Sequence, residues 1–199
     1  MALGKIGANQ GVFMKIDPMR SLLPIDDLIE RTTNSRHRAM LQNFRTHIIA
    51  EVTGDLETIM ATLVPEPTYH TYSPGSPLTG PVGQQQTRAF YQNMFDHGYN
   101  VLEKEIDRLY VCDDYVFNDG WMYTVFPGSE LAARGLPVDP NASYLYTNRT
   151  AAVLPYVGEG DDVLMAGEDV YTLGPPVMER LQLLRDDELP DLLRSRTAP

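Results

Sequence analysis

Residues Ser143–Gly174 read SYLYTNRTAAVLPYVGEGDDVLMAGEDVYTLG, two long runs rich in Val, Leu, Tyr and Thr joined by an acidic, glycine-containing turn. Such runs form strands with at least one buried face, yet these carry Arg149, Glu168 and Asp169. An ionised group on a buried face is costly unless it is paired or used. Side chains alternate along a strand, so Arg149, Ala151 and Val153 share one face, and Met165, Gly167, Asp169 and Tyr171 share one face of the partner. A loop over Val157–Asp161 sets Arg149 opposite Asp169. A three-residue loop sets Asp169 opposite Ala151 with Arg149 as its diagonal neighbour, and a four-residue loop sets Arg149 opposite Val170 and nearer Glu168. The first two registers make Arg149 and Asp169 the expected pair and leave Glu168 facing solvent or a subunit interface.

Upstream of this hairpin, Pro127–Ala142 is a long connection with a helical turn expected around Glu130–Arg134, the kind of loop that serves as a lid or interface element. Tyr99–Val111 and Tyr115–Phe126 alternate with a period of two around an Asp113-Asp114 turn, and Asn118-Asp119-Gly120 marks a bulge in the return strand. Val82–His97 has helical spacing, with Phe90, Met94 and Phe95 as inward candidates, and the aromatic, β-branched Thr68–Ser73 is a strand. The longest helical pattern is Ser35–Thr53, capped by Ser35 and buried along Leu41, Phe44, Ile48 and Val52. Gly54 ends it, and Asp55 caps a shorter helix that Pro65 and Pro67 terminate. Pro24 opens a short helix, Met1–Asp17 reads as an arm, and the chain beyond Gly174 reads as a short amphipathic helix with a charged tail. The expected division is an arm with a short helix over 1–34, a main domain over 35–174 and a C-terminal helix and tail over 175–199.

At 199 residues, 43% hydrophobic and 22% charged, the chain suits one domain with its own core. A net charge of -11 with scattered basic residues argues against a nucleic-acid partner. The lone Cys112 excludes an internal disulfide and any cysteine-rich zinc site, and four dispersed histidines offer no ligand spacing, so no metal is expected. No apolar run reaches membrane-spanning length and the N-terminus lacks a signal-peptide h-region, so no membrane partner and a cytoplasmic location are expected. Helices first, with one strand between the second and third, then four long strands, make an α+β fold. Its curved sheet, mixed or antiparallel, wraps the N-terminal helices into a cone-shaped barrel with N- and C-terminal extensions.

Three segments carry a family likeness: HIIAEVTGDLETIMATLVPEPTYHTY, PLTGPVGQQQTRAFYQNMF and the strand pair ending in AGEDVYTLG. Over about Arg36–Leu173 the chain resembles the SnoaL-like branch of the nuclear transport factor 2-like superfamily, which holds ketosteroid isomerase, scytalone dehydratase, limonene epoxide hydrolase and polyketide cyclases. The resemblance implies a cone enclosing an apolar ligand cavity, no cofactor, and a homodimer through the outer sheet face. In the epoxide hydrolase branch the last strand carries an aspartate in a D-Y-F-D-L-G context, which DVYTLG matches at Asp169. That branch also places arginine two residues before a second aspartate. Arg149-Thr150-Ala151 keeps the arginine and lacks the acid, which weakens epoxide hydrolysis. The tyrosine and asparagine of that branch's first strand fall near His70 and Tyr72.

From these residues the expected catalytic set is His70, Asp169, Arg149 and Tyr72. A carboxylate in an apolar cone suits proton transfer, a histidine titrates near neutral pH, and the tyrosine and arginine stabilise developing charge. Tyr69, Trp121, Tyr123, Tyr146 and Met165 are the expected substrate-lining residues. His47 is placed at the boundary of its helix's apolar stripe, and His37 and His97 outside. The expected function is a cofactor-independent acid–base enzyme, of dehydratase, isomerase or cyclase type, on a small, largely apolar polyketide-, terpenoid- or steroid-like substrate. The alternatives are a non-catalytic ligand-binding or dimerisation module, and an epoxide hydrolase whose missing acid is supplied by Asp119 or Glu168.

Overall fold

The computed structural model describes residues 15–190, so most of the Met1–Asp17 arm and the end of the charged tail lie outside the described residues. Three helices come first: α1 Leu23–Arg31, α2 Ser35–Thr53 and α3 Leu56–Ala61. Then follow β1 Leu63–Tyr72, α4 Gly83–Asp96, the hairpin β2 Leu102–Val111 and β3 Tyr115–Pro127, the short α5 Gly128–Ala133, and the hairpin β4 Ser143–Glu159 and β5 Asp162–Thr172.

The strands form one curved sheet in the order β1-β5-β4-β3-β2. β1 runs parallel to β5 and the other pairs are antiparallel, so the sheet is mixed. The helices pack on its concave side, where Met40, Leu41 and Phe44 of α2, Ile59 of α3, and Tyr91 and Met94 of α4 meet Val116, Leu154 and Met165. This is the expected α+β cone.

Several local expectations give way to tertiary partners. Asn34, not Ser35, caps α2, its side chain accepting the His37 backbone N–H at 3.1 Å. Asn34→Ala is expected to lower stability by about 1 kcal/mol in urea denaturation, because that donor then loses its partner. The helix that Pro65 and Pro67 are expected to terminate ends earlier, at Ala61, and both prolines lie within β1. In α4 the buried large side chains are Tyr91 and Met94, while Phe90 is exposed. β3 runs unbroken through Asn118–Gly120, and the extra residue of the bulge falls on its neighbour, between Ile106 and Arg108 of β2.

Beyond Gly174 the expected amphipathic helix is replaced by a 3-10 turn and a strand, β6 Leu181–Leu184. The cause is an open edge. β5 covers β4 only from Thr150 onward, which leaves Ser143–Tyr146 free to pair with β6.

The β4–β5 hairpin differs most from its sequence reading. Glu159 pairs with Asp162, so the loop is the two residues Gly160-Asp161, shorter than any of the three alternatives. A register shift then falls between Val153 and Tyr156, where β5 carries one more residue than β4. The extra residue sits at Gly167, whose φ of 139° and close approach to the Thr68 carbonyl admit no side chain: an added Cβ would lie 1.8 Å from that oxygen.

Candidate active site inside the cone

The β5 bulge reverses the alternation of faces, so that Met165 and Glu168 both point inward. Asp169 is left on the convex side opposite Val153 of β4 and His70 of β1. The expected Arg149–Asp169 pair therefore does not form. Arg149 donates instead to Asp107 and, at 3.2 Å, to Asp119, and its guanidinium lies 5.5 Å from the Trp121 ring centre. Arg108 holds the Asp119 carboxyl below its usual range, with Arg149 adding to the effect against the opposing cost of burial.

His70 Nδ1 lies 2.6 Å from Asp169 Oδ1, half-exposed on the same outer face, where Tyr72 stacks on Tyr171 with ring centres 4.5 Å apart. Trp121 and Tyr123 share that face, since they pair with Arg149 and Thr147 across β3–β4. Tyr123 donates to Glu105. Tyr146 lies in a satellite cluster with Phe126, Leu131 and Tyr144, its hydroxyl donating to the Gly174 carbonyl at 2.7 Å. Of the expected lining residues, Tyr69 and Met165 lie in the main core between sheet and helices.

A different set of polar groups meets inside the cone. α2 supplies His47 and Glu51, one turn apart and hence on one helix face; β5 supplies Glu168, β1 Tyr69, α4 Tyr91, and β2 Lys104. His47 is 1% exposed rather than at a boundary. Its Nδ1 lies 2.7 Å from Thr62 Oγ1, whose own hydrogen is committed to the Ile59 carbonyl at 2.6 Å. The network therefore assigns the ring proton to Nδ1 and leaves Nε2 as acceptor for the Tyr91 hydroxyl at 2.9 Å, which in turn meets the Tyr69 hydroxyl at 3.1 Å. Glu168 Oε1 stands 3.5 Å from the same Nε2.

Burial, reinforced by the nearby Glu168 charge and only partly offset by His47, pushes the Glu51 carboxyl up to about 7. Burial and the Glu168 charge likewise hold the Tyr69 hydroxyl far above its ordinary range, and burial with Tyr69 does so for Tyr91. Both residues are half-buried at the margin of the core, and among the described residues neither the Glu51 nor the Glu168 carboxyl receives a hydrogen bond. Two carboxyls, one of them pushed up to about 7, thus stand together with free bonding capacity, beside a histidine whose Nδ1–H is held by Thr62. Such a pair can take a proton at one point of a substrate and return it at another.

Sequence reading set Glu168 outside because strict alternation from Met165 demands it. The available signal was Gly167, since an isolated glycine within a strand marks a bulge. The spacing of His47 and Glu51 beside Phe44 was the other.

No family model matches the chain, and no curated protein does. Solved structures match it. A SnoaL-like polyketide cyclase, so described, from Shewanella putrefaciens superposes with a TM-score of 0.56 at 10% identity, over 81% of this chain and 92% of that one. A similarly described protein from Shewanella denitrificans gives 0.52 at 14%, over 67% and 89%. The chain has the nuclear transport factor 2-like fold. An NTF2-like protein from Anabaena variabilis matches at 0.50 and 15% identity, over 72% of this chain and 92% of that one. At these identities the nuclear transport factor 2-like likeness is one of fold, and the interior chemistry has to be judged on its own residues. Among the described residues no helix is long and apolar enough to cross a membrane, and no three His, Cys, Asp or Glu side chains stand together as a metal site.

Proposed function

We propose that the protein is an acid–base enzyme that moves a proton within a small, largely apolar carbonyl compound of polyketide, terpenoid or steroid type held in the cone. The observation that carries this proposal is the pair of half-buried carboxyls, Glu51 and Glu168, with free bonding capacity and with Glu51 pushed to about 7. Glu168, as carboxylate, removes a proton from the carbon beside the carbonyl. Glu51, as carboxylic acid, protonates the enolate oxygen, and reversal at another carbon completes an isomerisation, or loss of a leaving hydroxyl a dehydration. His47, oriented by Thr62, keeps the Tyr91 and Tyr69 hydroxyls in line beside Glu168.

Mass spectrometry of solvent deuterium entering simple cyclic ketones and enones tests this proposal: the wild-type chain accelerates exchange, and Glu168→Gln loses that acceleration. Wild-type exchange no faster than in buffer, across the panel, would overturn it.

The outer residues His70, Asp169, Arg149 and Tyr72 belong, on the same proposal, to an assembly face. The Tyr72–Tyr171 stack borders a groove of about 360 Å³ whose other walls include Ser73, Pro74 and Leu78. A homodimer through this face would bury the exposed Tyr72 and Tyr171 rings. His70→Ala and Asp169→Asn are expected to leave deuterium exchange unchanged, while Tyr171→Asp shifts the sedimentation of the protein toward monomer. A large loss of exchange in Asp169→Asn would move the chemistry to the outer face. A cytoplasmic location fits the single unpaired Cys112, which is exposed.

A further inference from the structure

The chain contains three lysines, Lys5, Lys15 and Lys104, and Lys104 lies inside the cone. Lys104 is 9% exposed. It pairs with Met122 across β2–β3, on the face that Ile106 shares, and its side chain runs along the sheet past Gly120 to donate to the Asn118 side-chain oxygen. Gly120 admits no side chain, because a Cβ there would lie 2.0 Å from the Glu105 carbonyl. Asn118 is itself 2% exposed. Among the described residues no carboxylate comes within ion-pair distance of the Lys104 nitrogen. A buried lysine is ordinarily neutralised by a carboxylate in contact, and this one is met by an amide oxygen alone.

We propose that Lys104 is a nucleophilic amine that condenses with the carbonyl group of a small ketone or aldehyde in the cone to form an imine. The inference rests on the proton-transfer proposal for its acid and base. The nitrogen lone pair adds to the carbonyl carbon, forming the C–N bond, while the C=O π pair moves to oxygen and takes the proton of Glu51. The nitrogen then gives one proton to the Glu168 carboxylate. That proton goes to the hydroxyl, which leaves as water as the nitrogen lone pair closes the C=N bond. The sum is amine, carbonyl and Glu51 acid in; iminium, water and Glu51 carboxylate out. The iminium is a stronger electron sink than the carbonyl, so the Glu168-assisted removal of the neighbouring proton becomes easier.

Electrostatics agree with the geometry. Burial lowers the Lys104 ammonium to about 8, against the opposing pull of Glu168 on β5 and Asp119 on β3, with Arg149 on β4 lowering it further. At neutral pH that leaves roughly three-hundredfold more free amine than on an exposed lysine.

Reductive trapping tests the assignment. The full chain is incubated with cyclohexanone and cyanoborohydride, which reduces an imine to a stable secondary amine, and the adduct is located by peptide mapping. The Lys104 adduct is expected to form at least about tenfold faster than those on Lys5 and Lys15, and to be absent from Lys104→Met while the other two persist. Trapping at Lys104 no faster than at Lys15 in the wild-type chain overturns the inference, whatever the variant does. Failure of the two proposals is separable: deuterium exchange without Lys104 trapping keeps the carboxyl chemistry and removes the lysine, whereas trapping that persists without any catalysed exchange keeps a reactive amine and removes the proton-transfer cycle.

Discussion

Glu168→Gln is expected to lower catalysed deuterium exchange by about a hundredfold to ten-thousandfold, the range over which a positioned general base contributes. The substitution keeps the shape of the side chain while removing its ability to accept a proton and the charge that helps raise Glu51. It breaks no hydrogen bond among the described residues: the carboxyl stands 3.5 Å from His47 Nε2, a nitrogen that Tyr91 already occupies. Stability by urea denaturation should therefore hold while exchange collapses. Loss of both together would make Glu168 a structural group. Retained exchange would exclude it as the base. His47→Gln should have a smaller effect on exchange, because His47 fixes the hydroxyl pair without touching the reacting atoms.

The second large effect is on stability and depends on pH. Glu51 titrates near 4.5 in the unfolded chain and near 7 in the fold. Below 4.5 both states hold the proton and the fold carries no penalty. Between the two values the unfolded chain releases its proton first, so the native state binds more protons and stability falls as pH rises. The loss, on the order of 3 kcal/mol, is complete once the pH exceeds about 7. Glu51→Gln removes this dependence: its urea midpoint should match wild type near pH 4.5 and exceed it clearly at pH 7.5. Lys104 does not blur the comparison, since its depressed value, about 8 against 10.5 when exposed, raises stability with pH only above that window. Parallel curves for wild type and Glu51→Gln from pH 5 to 7.5 would show that no acid is held protonated in the cone. The same substitution should slow exchange, so the acid that contributes to the chemistry is also a cost to the fold.

The likeness to solved structures spans most of the chain and is one of fold. A shared fold accommodates many chemistries. The constellation of Glu51, Glu168, His47 and Lys104 is a specific arrangement on it, drawn from α2, β5 and β2. The outer face, with His70 on Asp169 and Tyr72 on Tyr171, is a separate surface with its own charge network around Asp119.

What the sequence determined by itself was local and periodic. Helical spacing located α2 and α4, alternation located β2 through β5, and the order of those elements, with the resembling segments, was enough for an α+β cone. It also showed that charges interrupt the last hairpin. Which of those charges enters the cone was decided by tertiary structure. Side chains on a strand alternate with a period of two, so the single extra residue at Gly167 exchanges the inner and outer faces for everything that follows. The Thr68 carbonyl of β1, pressed against Gly167 from a distant part of the chain, holds that bulge in place. Glu168 is thereby turned to His47 and Glu51, and Asp169 to His70. Lys104 follows the same logic: its residue type was plain in the sequence, but its burial and its carboxylate-free contact with Asn118 exist only once β2 and β3 curve around the helices.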